Sequence, residues 1–111
     1  MMTTREPILL SKIVAELLLF AFNRNLTKID LQIRSTANEE TIRYRVEGMN
    51  EADQAVFLAK CSRHREAEIE TYGWTLLGET DLEIAGLLID EANVTTEENA
   101  TVFTLIRRRG A

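Results

Sequence analysis

Polar and apolar residues alternate in two rhythms along this chain, and each change of rhythm marks an element. Over residues 7–25 the apolar positions are spaced for a helix. Ile8, Leu9, Leu10, Ile13, Val14, Leu17, Leu18, Leu19, Phe20 and Phe22 cover most of the wheel, and Lys12, Glu16 and Asn23 form one narrow polar stripe. An ordinary surface helix buries about a third of its circumference. This one is therefore expected under cover on most sides, with the domain built around it. Thr3 or Thr4 caps it, and Pro7 sits in the first turn, where a missing N–H costs nothing.

After Asn25 the period becomes two. Residues 28–34 place Ile29, Leu31 and Ile33 on one face and Lys28, Asp30, Gln32 and Arg34 on the other, the pattern of a half-buried strand. Residues 35–40 are a polar turn. Residues 41–47 alternate again, with Ile42, Tyr44 and Val46 inward. The two strands read as an antiparallel hairpin with one wet face. That face carries Lys28, Arg34, Arg43 and Arg45 against Asp30 and Glu47, either a basic patch for an acidic partner or a solvated sheet face.

A turn at Gly48, Met49 and Asn50 leads into a second helix over residues 51–71. Its first half is amphipathic through Ala52, Ala55, Val56, Leu58 and Ala59, and its pattern fades past Cys61. Residues 72–78 are a loop anchored by Trp74. Thr80 and Glu83 form a capping box for a third helix running to Ala92. Gly86 in its middle costs about 1 kcal/mol relative to Ala, which a close contact with another element would justify. Residues 94–96 and 101–107 read as two strands joined by a turn at residues 97–100.

Composition narrows the possible functions. A chain of 111 residues is one domain, residues 1–111, with one core. A net charge of −5 argues against nucleic acid as a partner, because such binders carry a basic face. Cys61 is the only cysteine, so there is no disulfide framework, and Cys61 with His64 is at most half a metal site; no metal is expected. The longest apolar run is too short to span a bilayer, and the first residues lack the layout of a signal peptide. The expectation is a cytoplasmic protein with no membrane partner.

The order α-β-β-α-α-β-β, with three particular stretches, resembles the ATP-binding domain of histidine kinases, anti-sigma factors, gyrase and their relatives (the GHKL, or Bergerat, fold). The stretch from Glu16 to Arg24 before the first strand resembles the family's E-L-x-x-N-A-x-x-H helix. Tyr44 to Asn50 stands where the family runs a strand into V-x-D-x-G-x-G. Gly78 to Ala92, followed by TVFTLIRR, resembles the family's glycine-rich box, its helix and its closing strand. The resemblance implies an α+β fold, a two-layer α/β sandwich with a mixed four-stranded sheet and helices on one face.

It also implies a nucleotide pocket at Phe20, Gly48, Gly78 and Asp81, with Glu16 in the place of the general base. Three of these positions depart from the family. Phe20 stands for the asparagine that holds magnesium, and it has no oxygen for a hard cation. Gly48 stands for the aspartate that reads adenine. Asp81 puts a negative charge among the phosphate-binding glycines. The expectation is therefore a non-catalytic regulatory module that binds a protein partner or a second copy and needs no cofactor. An ATP-binding protein or serine kinase using ATP and magnesium, with Glu16 catalytic, is the alternative. An unrelated small α+β interaction domain is the second. Glu16 also has a plain reading, an ion pair with Lys12 one turn earlier.

Overall fold

The structure, a computed structural model, describes residues 5–61, 82–86 and 88–108. The elements are α1 (Arg5–Phe22), β1 (Ile29–Ser35), β2 (Glu39–Glu47), α2 (Glu51–Cys61), a short α3 (Leu82–Gly86), β3 (Glu91–Glu97) and β4 (Ala100–Arg108). They form the expected α+β, two-layer arrangement in the expected order. The strand order is β1-β2-β4-β3, and every neighbouring pair is antiparallel. This corrects the mixed sheet. The helical crossover does make β2 and β3 parallel, but β4 lies between them and opposes both.

The core lies between the helices and one face of the sheet. Leu9, Ile13, Leu17 and Phe20 of α1 pack with Ile42, Tyr44 and Val46 of β2 and Phe103 and Leu105 of β4. Phe57 of α2 is its hub. The ring centroid lies 4.0 Å from that of Phe103, 5.5 Å from that of Tyr44 in a stack, and 5.3 Å from that of Phe20, edge to face. Tyr44 is buried to its tip, where its hydroxyl donates to the Leu17 carbonyl at 2.7 Å. Each large side chain buried this way contributes about 1.5–3 kcal/mol.

The helix faces differ from the sequence expectation in three places. In α2 the alanines at 52, 55 and 59 and Val56 are exposed, and Phe57 and Cys61 are buried instead. One aromatic ring buries more surface than several methyl groups, so Phe57 sets the rotation of the helix. In α1 the polar stripe turns inward: Lys12 and Glu16 are buried, while Leu19 and Phe22 are 38% and 50% exposed. Helix α3 ends at Gly86, and Ala92, expected to be helical, pairs with Leu105 in β3. Asp90 N–H already donates to Ile106 at 2.8 Å, so the sheet ladder captures residues that a helical period had claimed. Gly86 has the close contact its position called for. A Cβ there would fall on the Lys60 carbonyl oxygen and 3.1 Å from Cys61 Cα, both backbone atoms of α2.

Local signals account for the ends of the elements. Asn25, at φ 60°, ends α1, and Leu26 N–H returns to the Ala21 carbonyl at 2.9 Å. Gly48, at φ 85°, turns the chain out of β2. Asn50 caps α2 by accepting Asp53 N–H at 2.8 Å. Ile42, Tyr44 and Val46 are buried as expected, and Ile29 and Leu31 are half-buried. Ile33, expected to face the helices, is 47% exposed, because β1 is an edge strand that the helical layer does not reach over.

Candidate functional site

Helices α1, α2 and α3 enclose a cleft of ≈370 Å³ lined by Glu16, Phe20, Asn23, Arg24, Lys60 and Leu82. The helical spacing of α1 places Glu16, Phe20, Asn23 and Arg24 one turn above another. Glu16 and Phe20 thus line one cleft. Gly48 lines a different hollow, with Leu26, Lys28 and Asn99. Gly78 and Asp81 lie outside the described residues, as do Trp74 and His64.

One wall of the cleft is covered by a side-chain clamp. The Arg24 guanidinium carbon sits 3.6 Å from the centroid of the Phe20 ring. Its Nε donates to Asp53 Oδ1 at 3.0 Å, and its NH1 donates to the Phe20 carbonyl at 3.3 Å. Asp53 lies in the first turn of α2, where a negative charge also suits the helix dipole. The Phe20 ring is held from below by Phe57 and from above by Arg24.

Glu16 is engaged as well. Its Oε2 lies 3.6 Å from Lys12 Nζ, with both side chains buried, and among the described residues that oxygen accepts no hydrogen bond. Lys60 adds a positive charge to the rim. The lining as described can hold a polar or anionic group, but it presents no hydroxyl or thiol nucleophile. Among the described residues there is no group of three side chains suited to a metal ion.

The wet face of the hairpin is a solvated ion-pair lattice. Arg43 NH2 meets Glu97 Oε1 at 2.6 Å. Arg45 reaches Asp30 at 3.3 Å, Glu47 at 3.5 Å and Glu97 at 3.6 Å. Pairs as exposed as these contribute under about 1 kcal/mol each. Val102, which stands opposite Arg45 on that face, is buried. Cys61 is buried, and burial pushes its thiol up to about 12.

Two features escaped the sequence reading. The Arg24–Asp53 clamp joins residues far apart in the chain, and only the i, i+4 spacing of Phe20 and Arg24 hinted at half of it. The buried charges Glu40 and Arg107 stand opposite each other on the core face of β2 and β4, and Arg107 NH1 donates to the Leu88 carbonyl at 2.8 Å. Strict alternation does put Glu40 on that face, but a charge there reads as the end of a strand.

Comparison with protein-family models, with curated proteins and with solved structures finds no match to this chain. No helix among the described residues is long and apolar enough to cross a membrane.

Proposed function

We propose that this protein is a degenerate histidine kinase-like, anti-sigma-factor-like domain that acts without catalysis, as a regulatory module binding a protein partner. The observation that carries the reading is the clamp over Phe20. At the position where the resemblance places the magnesium ligand, Phe20 is packed on Phe57 and covered by Arg24, which Asp53 holds. A magnesium ion would meet the Arg24 guanidinium there and would find no side-chain oxygen at position 20. The exposed apolar side chains Leu19 and Phe22, on the same helix, offer a partner a contact.

The test is thermal denaturation with millimolar ATP and magnesium, together with capture from the native host. No shift in melting temperature is expected, and one partner should be retained by the wild type and lost by Leu19→Glu/Phe22→Glu. A nucleotide at 100 times its Kd would add about 2.7 kcal/mol of stability. A magnesium-dependent upshift would refute the reading in favour of an active ATP-binding protein. Glu16 and Lys60, which line the cleft, are what that second reading would rest on.

A further inference from the structure

We propose that the free edge of β1 is a self-complementary seam, through which two copies of this chain join into one continuous antiparallel sheet. The proposal is independent of the function argued above and stands or falls separately. Among the described residues β1 pairs with β2 along one side only, and residues 32–38 are all exposed. An exposed strand edge is a template for another strand unless something blunts it. β1 contains no proline.

The hydrogen-bond parity of the hairpin fixes which groups face the edge. Glu47 N–H donates to the Lys28 carbonyl, and Thr36 N–H donates to the Glu39 carbonyl. Bonded and non-bonded pairs alternate along an antiparallel ladder. The even-numbered residues of β1 therefore bond to β2, and the N–H and C=O groups of Ile29, Leu31 and Ile33 point away from it.

A second β1 must then meet the first with odd residues opposite odd. One such register overlaps the whole strand, because Ile29–Ser35 is symmetric about Gln32. In it Leu31 opposes Ile33 of the second copy, Gln32 opposes Gln32, and Asp30 opposes Arg34. By two-fold symmetry each of the unlike contacts occurs twice. Shifting by two residues either way removes both Asp30–Arg34 contacts and shortens the ladder, so charge and length select the same register.

The other edge behaves differently. Full overlap of β3 with a second β3 would set Glu91 against Glu97. Room for the seam also exists: Ile33 is half exposed on the helix-side face, so pairing would cover it with Leu31 of the second copy. Isologous pairing through β1 closes at two copies.

The test is sedimentation velocity over about 1–100 µM. The wild type should be a dimer or a monomer–dimer equilibrium. Asp30→Arg and Arg34→Asp should each weaken it by about tenfold or more, since each turns two attractions into two repulsions. The double swap should restore the dimer, and mixing the two single variants should give a heterodimer. Arg45 retains Glu47 and Glu97 when Asp30 is changed. Circular dichroism checks folding. If a single variant does not fold, Ile33→Pro decides instead, because it deletes an N–H that faces only the free edge and should yield a folded monomer. A monomeric wild type, growth beyond two copies, unaltered dimers of the variants, or failure of the double swap would each overturn the proposal.

Discussion

Replacing Gly86 with alanine sets two physical effects against each other in one residue. Helix propensity favours alanine over glycine by about 1 kcal/mol. That gain is smaller here, because Gly86 is the last residue of α3. Against it stands a collision with backbone: the new Cβ would land on the Lys60 carbonyl oxygen and 3.1 Å from both Lys60 C and Cys61 Cα. A flexible side chain could rotate away, but a carbonyl in the last turn of α2 moves only with its helix. Overpacking of this kind costs about 1–3 kcal/mol, and the upper end applies where main chain must separate. The expected net is about 2 kcal/mol of destabilisation, lowering the melting temperature by roughly 8–10 °C for a domain of this size. Calorimetry or urea denaturation measures it. Ala15→Gly, at an exposed site on α1, calibrates propensity alone and should cost about 1 kcal/mol. A neutral or stabilised Gly86→Ala would show that α2 and α3 are not in contact as described.

Three further outcomes are expected. Glu16→Leu removes the buried Lys12–Glu16 pair and should cost about 1–3 kcal/mol in urea denaturation; a loss under about 0.5 kcal/mol would mean that the pair contributes little. Burial raises the Cys61 thiol to about 12 and also raises the Tyr44 hydroxyl, so both groups hold their protons more tightly folded than unfolded. Stability from them is complete below the unfolded values, near 9 for the thiol and 10 for the phenol, and drains as pH rises through the folded ones. Melting temperatures should fall on the alkaline side from about pH 9. Thiol reagents at pH 8 should label Cys61 only on unfolding; rapid labelling of the native protein would contradict its burial.

Much of the fold was legible because the strand signal is strong. The alternation in residues 28–34 and 41–47 gave both strands and the inward face of β2 directly. Asn25 and Gly48 mark turns by their chemistry, and both adopt positive φ. Gly86 was legible as a contact but not as a contact with a named partner. What failed shares one cause: a period identifies an element but does not weigh its neighbours. Alternation cannot say that β1 is an edge, so Ile33 read as core. Helical spacing ranked four small α2 residues above the single ring of Phe57. The period of residues 82–92 could not anticipate that β4 would recruit Glu91 and Ala92 as sheet. In the cleft the spacing of Glu16 and Phe20 was readable, but Asp53, which holds Arg24 over that ring, is 29 residues from Arg24.

The ion-pair lattice on the outer sheet face also shapes the field around the molecule. The alternation of the four strands sets Lys28, Arg34, Arg43, Arg45 and Arg108 there against Asp30, Glu39, Glu47, Glu91 and Glu97, a balanced set. Off this face, among the described residues, Glu16, Glu40, Glu51, Asp53, Asp90 and Glu98 outnumber Lys12, Arg24, Lys60 and Arg107, so the charge there is net negative. The sheet side is electrically quiet, and the rest of the surface carries the long-range potential. A cationic partner diffusing toward the protein is therefore turned toward the non-sheet side before any contact forms, over a range that salt shortens.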